Sequence, residues 1–297
     1  MTGTNLKVKF IKVVDGDTIK VEHQGETTNL RILSLDTEES YYGGNKPVTP
    51  WGKEAKNEAI KFFKNEQQVL IEFPGKESED ICWKKYRGNY GRPLVYVYRE
   101  SDQKDFQEHM IANGYSSYFS KYGYASFEEN HSRYQTAEIT AQINNIGVWN
   151  QIEVNGSELR NYAQLSVWWN LRAAVIDQYR LKKVNQGIYN TRLDYDTLLE
   201  KANQEEEAAI FTELRTLKRV GGKHGMISIG SIEKPFLIFI PNIDEEKGQK
   251  IVNLAINRYI STDLDHPRQS YCYIKGKLKM YNGTPEIILL HEEQLFD

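Results

Sequence analysis

Apolar and polar residues alternate with a period of two at three places early in the chain: Val8–Val14 around Phe10, Ile19–Glu22 and Leu30–Leu35. Successive side chains of an extended chain point to opposite faces, so the pattern predicts half-buried strands. Asp15-Gly16-Asp17 turns the first run into the second, and Gly25 marks a hairpin before the third. The period changes over Lys53–Lys64, where Ala55, Ala59, Ile60, Phe62 and Phe63 suit an amphipathic helix after Pro50-Trp51-Gly52. Strands are expected again at Val69–Phe73, ended by Pro74, and at Leu94–Tyr98, with a charged loop from Gly75 to Asn89 between them. Two helices should follow near Phe106–Asn113 and Phe127–Asn144, before the unit closes at Gly147-Val148-Trp149. Five short strands with a few helices packed outside predict a small closed barrel.

From Ser157 to Lys183 the pattern is helical, with Leu165, Trp168, Trp169, Val175, Ile176 and Tyr179 on one broad face. Trp168 and Trp169 read as packing residues rather than a base-stacking platform. Asp194 is placed to cap a second helix expected to run through Leu217, with Glu205-Glu206-Glu207 as a solvated face and Gly221-Gly222 as its end. Strands return at Met226–Ile229, Phe236–Ile240, Tyr271–Tyr281 and Ile287–His291, with Asn282-Gly283 as a hairpin turn. The expected organisation is a first domain over residues 1–150, a helical linker over 151–222 and a second barrel-like domain over 223–297.

Composition narrows the class. The 297 residues are 39% hydrophobic and 27% charged, a globular balance. No apolar run approaches the roughly 20 residues that span a bilayer, so no membrane partner is expected. The start lacks the apolar core of a secretory signal, which points to the cytoplasm for a chain that begins at this Met1. Cys82 and Cys272 lie far apart, excluding a disulfide framework and a cysteine zinc cluster. The net charge is −3, of which residues 1–150 carry −2. Without a bulk positive field, a coating or histone-like role on duplex phosphates is excluded. An enzyme that meets one phosphate at a time is not.

The informative residues are acidic. Asp15-Gly16-Asp17-Thr18 leads into one strand, and the next carries Arg31 through to Asp36-Thr37-Glu38-Glu39. Strand pairing would bring Asp17 and Asp36 together at one barrel edge. Two carboxylates with carbonyls and waters make a hard, all-oxygen site that suits Ca²⁺ or Mg²⁺, and with no His or Cys nearby zinc is disfavoured. Arg31 shares that strand, and Arg92 follows a Tyr90-Gly91 turn. Carboxylates, a cation and two guanidiniums at one point match phosphodiester cleavage, because they neutralise the charge of a five-coordinate phosphate while a carboxylate orients or deprotonates water. Taken singly, Asp17 and Asp36 could equally be turn and cap residues.

The runs Val14–Thr18, Leu30–Glu39, Trp51–Ala55, Tyr90–Arg92 and Gly147–Trp149 resemble, in order and spacing, the staphylococcal nuclease (thermonuclease) family, over about Lys7 to Trp149. The resemblance implies a five-stranded OB-type barrel that cleaves DNA and RNA with Ca²⁺ and leaves a 3′-phosphate. It implies that Asp17, Asp36 and the Thr37 carbonyl are metal ligands, that Arg31 and Arg92 clamp the phosphate, and that Glu39 orients the water. Tyr90 corresponds to a tyrosine near the substrate phosphate and Tyr122 to one beside the base. Glu38 stands where the family usually has Pro, Asn89 where Lys is common, and the Gly75–Asn89 loop is longer. The stretch from Lys275 to Leu289 is similar to the last strands of nucleic-acid-binding OB folds, and Lys275, Lys277 and Lys279 alternate there with Tyr271, Tyr273 and Tyr281 in a way that suits single-strand capture. The expected fold class is therefore α+β with barrels dominant: an OB-type, thermonuclease-like barrel, a helical linker and a second OB-like barrel. The function expected is a calcium-dependent endonuclease acting on single-stranded or locally opened DNA or RNA. The competing class is a non-catalytic nucleic-acid-binding scaffold on the same barrel. The helical region is in addition a candidate homo-oligomer interface.

Overall fold

The computed structural model describes residues 2–41, 48–118, 122, 127–150, 162–261 and 267–297, with side chains described except at 162–164, 184 and 185. The chain divides into two compact units, residues 1–88 with 92–164, and residues 89–91 with 165–297.

In the first unit, strands β1 (Asn5–Asp15), β2 (Thr18–His23), β3 (Glu26–Ile32), β4 (Gln68–Glu72) and β5 (Leu94–Arg99) close a five-stranded barrel in the order β1-β2-β3-β5-β4. The β2–β3 hairpin turns on Gln24 and Gly25, both at positive φ (52° and 83°), the conformation that matches the twist of the flanking strands. That turn fixes the register, pairing Ile19 with Leu30 and Thr18 with Arg31. The inward side chains Ile19, Val21, Leu30, Ile32, Val69, Ile71, Val95 and Val97 are fully buried and fill the interior. Irregularities on β1 between Phe10 and Lys12 and between Val13 and Asp15 bend its end toward the Asp15–Asp17 turn. Helices α1 (Pro50–Phe62), α2 (Glu79–Lys85), α3 (Phe106–Ala112) and α4 (Glu128–Ile143) accompany the barrel. Three follow the expected pattern. The fourth, α2, occupies part of what the sequence suggested was a charged loop.

In the second unit, α5 (Tyr162–Gln186), which belongs to it from Leu165 on, leads to β6 (Ile188–Asn190), α6 (Tyr195–Asn203), β7 (Glu207–Glu213), β8 (Leu217–Val220), β9 (His224–Gly230), β10 (Pro235–Ile240), α7 (Glu246–Leu254), β11 (Tyr271–Tyr281), β12 (Thr284–Ile288) and β13 (Leu295–Phe296). Ser157–Asn161, expected to start the long helix, lies outside the described residues. The strands form one large sheet in the order β6-β7-β11-β12-β10-β9-β8, with β13 against β11. The second barrel expected from the sequence is thus, among the described residues, a sheet whose ends β6 and β8 do not pair. The helix expected from Asp194 through Leu217 is also corrected: α6 stops at Asn203, and β6, β7 and β8 all fall inside the stretch read as a helical linker.

Leu198, Ile210, Ile227, Phe236, Ile238, Ile274 and Ile287 belong to the core of this unit. A second aromatic layer stacks Tyr179 on Phe211 at 4.2 Å between centroids and Phe211 on Tyr271 at 5.3 Å, with Tyr273 tilted beside them. Tyr271 and Tyr273 are 1% exposed. They are core residues, not the stacking platform that their alternation with lysines suggested. Among the described residues, no helix is long and apolar enough to cross a membrane.

Candidate active site

The site begins with the register of one hairpin. Because Thr18 faces Arg31 across β2 and β3, the Asp17 turn and the Arg31 side chain arrive at the same end of the barrel. The Asp17 carbonyl accepts the Ile32 amide at 3.0 Å, which ties the turn to β3. The Arg31 guanidinium then spans two carboxylates. Its Nη1 lies 2.8 Å from Asp17 Oδ2 and its Nη2 3.0 Å from Asp36 Oδ1, while Nη1 also donates to the Ile32 carbonyl at 3.2 Å. Burial works against the charge on Arg31, but Asp17, Asp36, Tyr122 and Glu39 outweigh it and raise its pKa.

Arg92 reaches the same place from the turn before β5. Its Nη1 donates to Thr18 Oγ1 at 3.3 Å, and Thr18 Oγ1 donates to Asp17 Oδ1 at 2.8 Å. A single hydroxyl therefore links the second guanidinium to the first carboxylate. Thr37 is buried, and its side chain lies 2.8 Å from where a Cβ on Gly16 would sit. The Glu39 carbonyl lies against Gly52 of α1, close enough that a Cβ there would come within 2.0 Å of the oxygen. Tyr41, half exposed, senses this cluster: burial raises its pKa, Asp15, Glu39 and Asp17 raise it further, and Arg92 opposes them.

The structure thus brings together Asp17, Arg31 and Asp36 by direct ion pairs, joins Arg92 through Thr18, and sets Glu39 within electrostatic reach of Arg31. Tyr122 is 8% exposed and acts on Arg31, with Gly88 beside its ring. Tyr90, in contrast, is 63% exposed in the Asn89–Gly91 turn that groups with the second unit. Sequence reasoning did not single out Thr18, Tyr41 or Ser116, whose Oγ accepts the Asp36 amide at 2.9 Å. Thr18 had a signal, its place within the Asp-Gly-Asp-Thr run. Ser116 had none, because it is 80 residues from Asp36 in the chain.

Among the described residues, no three His, Cys, Asp or Glu side chains form a metal cluster. What the site offers is two carboxylates, Asp17 and Asp36, joined through Arg31. An all-oxygen donor set of this kind fits a hard cation that keeps several waters, and does not fit zinc.

Residues 29–151 match the family model described as staphylococcal nuclease homologue. An uncharacterized protein of Methanocaldococcus jannaschii is 30% identical over 162 residues, 48% of this chain and 70% of that protein. The thermonuclease of Staphylococcus hyicus is 36% identical over 106 residues, 36% of this chain and 55% of that enzyme. Endonuclease YncB of Bacillus subtilis is 28% identical over 146 residues, 49% of this chain and 63% of that protein. The chain thus spans less than two thirds of the two nucleases.

Proposed function

Because the chain belongs to the staphylococcal nuclease homologue family through its first unit, we propose that it is a Ca²⁺-dependent phosphodiesterase that cleaves single-stranded or locally opened DNA or RNA and leaves 3′-phosphate ends. The observation that carries this reading is the Arg31 fork between Asp17 and Asp36, with Arg92 linked to the same carboxylate through Thr18. Asp17, Asp36 and the Thr37 carbonyl would hold the Ca²⁺, which supplies a positive centre for charge building on the phosphate. Arg31 and Arg92 bind the phosphate oxygens. Their guanidiniums are held by fixed partners, so little reorganisation is needed as the transition state forms. Glu39 orients a water or takes its proton.

The second unit supports a role in holding substrate. Lys275 and Lys277 on β11 are exposed, and they line a groove of about 690 Å³ with His291 and Gln294. Glu205, Glu207 and Glu293 line it too, so its field is mixed and its grip on phosphates modest.

Incubation of the protein with labelled single-stranded DNA, duplex DNA and RNA, in Ca²⁺, Mg²⁺ or EDTA, tests the reading. Cleavage is expected in Ca²⁺ and none in EDTA. Binding without cleavage in every cation would favour the scaffold reading, and full activity in EDTA would remove the metal from the mechanism.

A further inference from the structure

Asp36 is positioned by a segment that is not part of the barrel. Its amide donates to Ser116 Oγ at 2.9 Å, and Ser116 Oγ donates in turn to the Ser117 carbonyl at 2.7 Å. One residue earlier, Leu35 pairs with Tyr118 as an isolated antiparallel bridge. The run Ser116–Tyr118 therefore acts as a short strand laid along Leu35 and Asp36. Helix α4 grips that run. His131, Tyr134 and Glu138 are spaced three and four residues apart, which puts them on one stripe of the helix. The Tyr118 hydroxyl bonds to His131 Nδ1, the Tyr118 and Tyr134 rings lie 6.1 Å apart, and Glu138 Oε1 accepts the Tyr118 amide at 2.8 Å. A carboxylate within a partly buried helix face is costly unless it is bonded, and the bond shown for Glu138 is to this one amide.

We propose that Glu138 is a positioning residue for the active site: by holding the Tyr118 amide it fixes the Ser116–Tyr118 run, and through that run the backbone of Asp36 beside Arg31. The inference rests on the nuclease reading for its consequence in catalysis, but its structural half stands without it. The bond shown for Glu138 goes to a backbone amide rather than to Asp17, Asp36 or Thr37. Glu138 acts through two hydrogen bonds and one backbone bridge, the kind of outer contact whose loss changes metal affinity or rate about 10- to 100-fold. An amide side chain can replace the carboxylate as acceptor, whereas an aliphatic one of similar size cannot.

The test uses the full-length chain and three variants, Glu138→Gln, Glu138→Leu and Ser116→Ala. Amide exchange at Asp36 reports the positioning directly, without reference to activity. The Ca²⁺ concentration for half-maximal cleavage, with kcat and KM, reports its consequence. Glu138→Leu and Ser116→Ala should each speed exchange at Asp36 and raise the Ca²⁺ requirement about tenfold, and combining the two substitutions should add little, because both break one chain of contacts. Glu138→Gln should restore both readouts. Should Glu138→Leu fail to fold by circular dichroism, Glu138→Ala takes its place, with the same faster exchange expected at Asp36. A Ser116→Ala variant with wild-type protection at Asp36, or a Glu138→Gln variant as impaired as Ser116→Ala, overturns the proposal. A wild-type protein that cleaves nothing in any cation defeats the nuclease reading instead, and the exchange comparison then still accepts or rejects the positioning role.

Discussion

At the scale of single residues, hydroxyls and amides hold the charged groups where the chemistry needs them. Arg31 is a guanidinium whose two arms serve different carboxylates, and a lysine ammonium has no such planar fork. Arg31→Lys should therefore lower kcat about 10²- to 10³-fold while the fold survives, as measured by single-turnover cleavage alongside circular dichroism. Thr18→Val keeps the shape but removes the link between Arg92 and Asp17, so it should lower kcat about tenfold with little change in KM. Wild-type kcat in Thr18→Val would show that Arg92 is placed by other contacts. Glu138 makes a third prediction through pH. Burial pushes its pKa from 4.5 up to about 7, against the opposing bond from the Tyr118 amide. The folded state thus holds this proton more tightly than the unfolded chain, and stability contributed at low pH is lost as pH rises from about 4.5 through 7. Glu138→Gln removes that loss, so urea unfolding should find the variant more stable than wild type by ~1–3 kcal/mol at pH 8, with the difference gone near pH 4. Equal pH dependence in both proteins would refute the assignment. Asp17 and Arg31 were legible in the sequence because hairpin register brings them together, and Asp36 because it follows Arg31 by only five residues. Ser116 and Glu138 were not, because their roles come from a tertiary crossing that no local pattern records.

At the scale of elements, the barrel was legible because period-two alternation and a two-residue turn leave few other foldings of the first five strands. The errors have local causes. Helix α6 ends in a Schellman arrangement: the Glu206 amide donates to the Lys201 carbonyl at 3.0 Å, and Glu205 takes the left-handed conformation with φ of 54°. That position usually carries Gly, so a glutamate there hid the stop, and the following Ala-Ala-Ile-Phe run reads as well for a helix as for β7. Helix α2 had signals that the loop reading passed over. Ser78 precedes it, Glu79 and Asp80 lie in its first turn, and Lys84 and Lys85 in its last, as the helix dipole favours. Gly52 shows an element bracing the site. Its missing side chain lets α1 approach the Glu38–Glu39 backbone, and Gly52→Ala must push that backbone away. The variant should lose ~1–3 kcal/mol of stability and most of its kcat, read by thermal unfolding and by cleavage at saturating substrate. A fully active Gly52→Ala protein would show that Glu39 does not depend on α1.

At the scale of the whole molecule, a net charge of −3 means that long substrates must be held by local groups rather than by a general field. In the proposed division of labour, the first unit breaks the bond and the second adds a tethered grip, which raises apparent affinity without touching the chemical step. Two of the three tyrosines of the expected grip, Tyr271 and Tyr273, are in the core, and this leaves Lys275, Lys277, Lys279 and the 45% exposed Tyr281. Lys277 is itself paired with Glu205 at 2.6 Å, but both side chains are exposed, so water screens the pair and it yields readily to a phosphate. Reversing two of the lysines together, Lys275→Glu with Lys277→Glu, places four or more carboxylates around the groove with Glu205 and Glu207 and should repel a strand there. Cleavage of an oligonucleotide of only a few nucleotides, held by the first unit's site alone, should keep its kcat and KM. On long single strands KM should rise severalfold at low salt, and the difference from wild type should shrink as salt screens both proteins. If the double variant matches wild type on long strands at low salt, the second unit does not hold the substrate through this face, and capture as well as cleavage belongs to the first unit alone.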